Sequence, residues 1–209
     1  EISAVDPKFK MPQVWKTSLA IDYAFPTSFP FTISAEGIYN KTVNGVVIRD
    51  WSVKSTDGFS RLNGADNRPL YQDYQQTYVD ADGKTQNLPA AYVLENTNRG
   101  YGYSGTFTVN MRPIESLALM AAYTHTVSKE LTGMPGSNAS SVLNYMGTVY
   151  GPNDPGLHNS QYVTPDRFVA SLTHSDRSGN HYSFIYETWR GAYNYTYMTA
   201  NDMNGDGYN

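Results

Sequence analysis

Apolar and polar residues alternate with a period of two along six stretches of this chain, the pattern of strands whose successive side chains point to opposite faces. Trp15, Leu19, Ile21 and Tyr23 share a parity in the first stretch, and Phe31, Ile33, Ala35 and Tyr39 in the second. Phe107, Val109 and Met111 follow, then Leu117, Leu119, Ala121, Tyr123 and Val127, then Phe168, Ala170 and Leu172, then Tyr182, Phe184 and Tyr186. The opposite parity carries Lys16, Ser18 and Asp22; Thr32, Ser34 and Glu36; Thr106, Thr108 and Asn110; Thr124 and Thr126; Ser171 and Thr173; Ser183 and Glu187. Ile38, Met120, Val169 and Ile185 interrupt that polar face. The pattern predicts strands over about 13–23, 31–42, 103–111, 117–128, 166–174 and 181–190.

The connections alternate in length. Phe25 to Pro30, Arg112 to Ser116 and Asp176 to Asn180 are short and rich in turn residues, whereas 44–99, 129–164 and 191–209 are long. Short connections at one end of a sheet and long ones at the other match membrane β-barrels with brief turns on one side and large loops on the other. In the interiors of the stretches every acidic or basic side chain keeps to the polar parity, as a hydrocarbon-facing surface requires, because Lys or Arg at the bilayer midplane costs roughly 2–4 kcal/mol.

Composition supports strands. Only 16% of the residues are charged and 14% are aromatic, with 18 tyrosines, which is a β-rich usage. No stretch approaches the ~18 consecutive apolar residues of a membrane helix, so any crossing has to be made by strands. A net charge of -4 without a Lys/Arg cluster excludes a nucleic-acid partner, which needs a basic stripe. The absence of cysteine removes disulfide frameworks, zinc ribbons and thiol catalysis. Glu1 opens without the charged start and apolar core of a signal peptide, and Asn209 falls in a Gly/Asn/Asp-rich stretch, so the chain reads as a piece of a longer polypeptide.

Few motifs carry chemistry. Asp202, Asn204 and Asp206 place oxygen side chains at positions 1, 3 and 5 of a loop with glycine at 6, the opening of a calcium loop; a solvated turn is the other reading. The sequence requires no cofactor, and calcium is the one candidate it offers. Tyr71, Tyr74, Tyr78 and Tyr92 interleave with Gln and Asn in the first long loop, where rings beside amides suit a sugar or peptide ligand; packing within the loop is the competing reading. Gly100 to Gly105 matches a dinucleotide fingerprint in letters but runs into a strand instead of opening a helix. His125, His158, His174 and His181 lack metal-ligand spacing, and no Gly-x-Ser-x-Gly elbow accompanies them, so no catalytic residue is expected and the chain is not read as an enzyme. Asn40, Asn138 and Asn194 open glycosylation sequons that a chain this rich in Asn, Ser and Thr produces by chance.

Several short segments together resemble one family. These are Pro12 to Lys16, Ser60 to Arg68, Arg99 to Tyr103, Ala122 to Thr126, Val163 to Arg167 and, most specific, Asn201 to Gly207. They are similar to the TonB-dependent outer-membrane receptors, in particular the Oar-like branch with a carboxypeptidase-regulatory-like amino-terminal domain. The resemblance implies a late segment of an all-β, antiparallel up-and-down transmembrane barrel of about 22 strands, of which this chain supplies about six. It implies a place in the bacterial outer membrane, contact with outer-membrane lipid, and closure by a plug domain and the remaining strands of the same polypeptide. It also implies nutrient import driven by an energy-coupling complex acting through an amino-terminal box that this sequence does not contain, and a surface lipoprotein as a possible partner. Relatives of that kind take siderophores, glycans, peptides or cobalamin. The alternative is a soluble β-sandwich used for carbohydrate or protein adhesion, with the apolar face buried against a second sheet. A secreted hydrolase is the third option.

Overall fold

The computed structural model describes residues 1–64, 67–146, 150–151, 153–192 and 202–207. It is all-β. In chain order the strands are β1 (Ile2–Val5), β2 (Gln13–Ala24), β3 (Phe31–Asp50), β4 (Thr77–Val79), β5 (Thr85–Asn87), β6 (Ala91–Thr97), β7 (Tyr101–Ile114), β8 (Leu117–Glu130), β9 (His158–Asn159), β10 (Asp166–Ser175) and β11 (His181–Arg190). One helix, α1 (Ala139–Tyr145), lies between β8 and β9.

The six long strands pair antiparallel in chain order, β2 to β3 to β7 to β8 to β10 to β11. All three short connections sit at one end of this sheet and the long ones at the other. Registers decide which side chains share a face, and they align the six apolar sets. Ile21 stands opposite Ala35, Ala35 opposite Phe107, Phe107 opposite Tyr123, and Tyr123 opposite Phe168. Leu172 stands opposite Phe184. The sheet is open among the described residues, with β2 and β11 as its edges.

Two of the long strands, β3 and β7, exceed their expected bounds by more than two residues, for identifiable reasons. β7 continues past Met111 because a register irregularity between Met111 and Ile114 accommodates Pro113, which has no N–H to give the ladder. β3 runs on to Asp50 because its far part leaves β2 and pairs with β6, which in turn holds β1 in parallel. Val46, Val47 and Ile48, which the expected loop 44–99 includes, therefore belong to a strand; Val43, Asn44 and Gly45 break the alternation ahead of them.

The core lies entirely at the long-loop end. Ile48, Val142, Leu143 and Met146 form a buried cluster, with Tyr92, Leu94 and Ala139 against it. Helix α1 presents Val142 and Leu143 to this cluster and is started by Asn138, whose side chain accepts from the Ser141 N–H while the Ser141 hydroxyl answers from the Asn138 N–H. Asp50 and Asn153 tie the first two long loops together. The Asp50 N–H donates to Asn153 Oδ1 at 2.8 Å, and Asn153 Nδ2 donates back to the Asp50 carbonyl at 2.7 Å. The Asp50 carboxylate meanwhile accepts from the Ser52 and Ala91 N–H groups.

Below this cap, nothing in the described residues covers either face of the six-stranded sheet. Leu19 is 81% exposed, Ile21 67%, Phe184 67% and Phe107 48%. The second sheet, β4 with β5, is a three-residue hairpin in a loop and packs on neither face.

Aromatic side chains border the apolar face at both margins. Towards the long loops stand Trp15, Tyr39, Tyr103 and Tyr123, with the Trp15 and Tyr39 rings 6.0 Å apart. At the short-turn margin Phe25 packs edge-on against Tyr23 and stacks on Phe31, both at 4.7 Å. Tyr182 extends that margin on β11.

Candidate functional site

The polar face becomes concave where it meets the long loops. β9 folds the chain back along β8, pairing Asn159 with Lys129 and His158 with Glu130. The Ser160 N–H then donates to the Ser128 carbonyl at 3.0 Å, and the Val163 N–H to the Ser160 carbonyl at 3.2 Å. Residues 160–164 are thereby held over the upper polar ends of β7, β8, β10 and β11, enclosing a cavity of about 740 Å³ open on one side.

Its wall is built by period-two alternation. Asn40 of β3, Ser104 of β7, Thr124, Thr126 and Ser128 of β8, Arg167 of β10, and Glu187 and Trp189 of β11 all project from the polar parity. Arg167 donates from Nε to Glu187 Oε1 at 2.7 Å, and its second nitrogen reaches the same oxygen at 2.7 Å. The pair is half exposed, so its contribution to stability is at most about 1 kcal/mol. The Thr106 and Thr124 hydroxyls meet at 3.0 Å just below. Two flat rings flank the opening: Tyr162 is 80% exposed and Trp189 64%. Trp189 stands on the polar face, opposite Arg167 and off the parity of Tyr182, Phe184 and Tyr186. Rings for stacking, a row of hydroxyls, an amide and a guanidinium fork suit a neutral, hydroxyl- or amide-rich ligand such as a glycan or a peptide backbone.

Of the four tyrosines singled out in the first long loop, Tyr71 and Tyr74 pack together, while Tyr78 and Tyr92 lie elsewhere. Tyr71 is buried, edge-on to Phe59 at 5.3 Å and to Tyr74 at 6.3 Å, and its hydroxyl donates to the Tyr150 carbonyl. Tyr92 packs against the core cluster, and Tyr78 is exposed on the β4–β5 hairpin. Burial pushes the Tyr71 phenol up to about 12, with Asp206 and Asp154 adding repulsion against its ionised form.

Residues 202–207 form a tight turn against this loop. The Asp202 carboxylate accepts from the N–H groups of Asn204, Gly205, Asp206 and Gly207 at 2.7 to 3.2 Å. Asn204 and Asp206 are buried, and Asn204 donates its amide to Asp206 Oδ2 at 3.1 Å and to the Pro69 carbonyl at 3.3 Å. The Asn204 carbonyl in turn accepts from the Tyr71 N–H at 2.6 Å. Among the described residues no group of three or more His, Cys, Asp or Glu side chains is placed to hold a metal.

The structure also brings together residues that the linear sequence left apart. Ser175 Oγ lies 2.8 Å from His181 Nδ1 at the short-turn end. The neighbouring Asp176 carboxylate is taken up by the Ser178 and Asn180 N–H groups and the Asn180 amide, so it does not orient the imidazole as a triad carboxylate would. On the apolar face Asp166 accepts from the Tyr123 hydroxyl at 2.6 Å, from His125 at 2.9 Å, and from Arg190. The polar-face cavity was likewise not foreseen from the sequence. Its signal there was Trp189, an aromatic ring on the wrong parity for the apolar face.

No family model, no curated protein and no solved structure matches this chain.

Proposed function

We propose that the chain is a segment of a bacterial outer-membrane receptor of the TonB-dependent kind, with its six long strands crossing the bilayer as part of a larger barrel. The observation that carries this reading is a broad apolar face with no protein over it among the described residues, bordered by aromatics at both margins, while every buried apolar side chain among them lies in the long-loop cap. Water does not tolerate an apolar patch on that scale, and lipid supplies the missing cover.

The tilt of the apolar band supports the same reading. The cross-strand row through Leu19, Gly37, Gly105, His125, Asp166 and Arg190 begins among apolar neighbours in the middle of β2 and ends on an ion pair at the margin of β11. The row through Phe31, Met111, Leu119, Leu172 and Phe184 begins on the first residue of β3 and ends inside β11, with Tyr182 still below it. The band therefore crosses the rows obliquely. Strands tilted about 35–45° from a bilayer normal require that.

On this reading the polar face lines the lumen, where Lys16, Glu36, Asn110 and Glu187 meet water or a plug domain. The cavity beneath residues 160–164 takes the ligand at the mouth, and its chemistry favours a glycan or peptide over a charged chelate. A calcium ion at the 202–207 turn is a separable part of the proposal: Asp202 and Asp206 offer carboxylates, and Asn204 offers an oxygen once its amide turns over. Calorimetric titration with calcium tests it, and absence of binding heat removes the ion.

The absence of cysteine makes the main test clean. Single cysteines at 106, 107, 171 and 172 are labelled with an environment-sensitive dye in phosphatidylcholine vesicles whose acyl chains carry bromine. Quenching is expected at 107 and 172 and not at 106 and 171. Absence of quenching at all four would return the sheet to water and favour the adhesion sandwich, and equal quenching at all four would refute contact with lipid by one face alone.

A further inference from the structure

The upper margin of the apolar face carries two cations without partners among the described residues, and we propose that they form a docking site for the phosphate of a lipid headgroup. The proposal rests on the membrane reading above and adds a specific lipid chemistry to it. One cross-strand row runs Trp15, Lys41, Tyr101, Lys129 over β2, β3, β7 and β8, all on the apolar parity. Adjacent strands lie about 4.8 Å apart, so the two lysine Cα atoms are separated by about 10 Å with a tyrosine between them. Flexible four-carbon stems let both ammonium groups converge on one phosphate, and Tyr101, between them in the row, brings a hydroxyl as a further donor.

Charge complementarity selects the occupant. The other charges on this face neutralise each other, since Asp166 is shared by Arg190 and His125. Lys41 and Lys129 make no ion pair and no side-chain hydrogen bond among the described residues. Directly beneath them on the same parity lie Tyr39, Tyr103 and Val127, an apolar shelf on which acyl chains can rest. A soluble phosphate has no use for that shelf. A phosphate carrying acyl chains uses both halves of the site.

The test reads the lipid next to Trp15, with Trp51→Phe and Trp189→Phe removing the other two indoles. The chain is reconstituted in phosphatidylcholine vesicles containing a minor fraction of phosphatidic acid, and bromine is placed on the acyl chains of one lipid or the other. Phosphatidic acid is expected to be enriched beside Trp15. The double substitution K41Q/K129Q should lower its preference over phosphatidylcholine by up to about twenty-five-fold, each lysine contributing about fivefold, while K41R/K129R retains it. Salt at about 1 M should erase the preference, as the Debye length falls to about 3 Å. Equal quenching by both lipids, with the glutamine variant unchanged, overturns this site but leaves the membrane reading standing. Absence of quenching by brominated phosphatidylcholine fails the membrane reading itself and the site with it. Displacement of phosphatidic acid by millimolar inorganic phosphate would assign the lysines to a soluble anion and also overturn the proposal.

Discussion

Leu19→Arg separates a lipid-facing sheet from a water-facing one by the sign and size of a single measurement. Leu19 sits in the middle of β2 on the apolar parity, opposite Gly37, and is 81% exposed. Because it touches little protein, its replacement leaves almost no packing defect, and in water a change at so exposed a site is worth no more than about 0.5 kcal/mol. In hydrocarbon the same arginine costs about 2–4 kcal/mol near the midplane, which lowers the folding equilibrium by a factor between about thirty and about a thousand. Ala20→Arg is the matched control. Ala20 is the next residue along the strand, projects from the polar face and stands directly opposite Glu36, so its arginine gains a cross-strand partner worth about 0.2–1 kcal/mol. The assay is urea unfolding of the chain folded into phosphatidylcholine vesicles, followed by tryptophan fluorescence. A Leu19→Arg midpoint no lower than that of Ala20→Arg would refute the claim that this face contacts lipid.

Other outcomes follow from the cap and the turns. Gly205 has φ 75°, and a Cβ there would stand 2.5 Å from the Tyr71 carbonyl oxygen, so Gly205→Ala should lower cap stability by about 1–3 kcal/mol, read as loss of amide-exchange protection around Tyr71. The Tyr71 phenol, raised in the folded state, contributes stability that is complete below its unfolded value of 10.0 and disappears as pH climbs towards about 12. Tyr71→Phe should abolish that alkaline loss, and a curve identical to that of the unsubstituted chain would count against burial of the ring. Asp176 is held below its ordinary 3.8 by bonds from the Asn180 side chain and the Asn180 and Ser178 N–H groups, so its contribution to the β10–β11 turn is present above that value and is lost as acid carries the pH through the lower folded one. Asp176→Asn should flatten the acid limb of an NMR titration of the turn amides.

Much of the sheet was legible in advance because a strand exposes its pairing in its period. Trp15 to Tyr23, Phe107 to Met111 and Tyr182 to Tyr186 announce a shared face without any knowledge of their neighbours. Loop lengths then fix which ends lie together. The cap was illegible for the opposite reason. Ile48, Leu94 and Leu143 are brought together from three separated segments, and short apolar runs of this kind do not state their partners. Tyr71 and Trp189 show the same limit at the candidate site. Both are tyrosine or tryptophan in polar surroundings, yet one is buried against Phe59 and the other stands open on a cavity wall.

The sequence by itself determined an all-β chain with one apolar and one polar face and long loops gathered at one end, because alternation and connection length are local properties that survive any choice of partner. Tertiary structure alone decided register, and register is a relation between strands that no single strand encodes. It placed Lys41, Tyr101 and Lys129 in one row, drew the far part of β3 away from β2 to pair with β6, and folded residues 160–164 over the polar face.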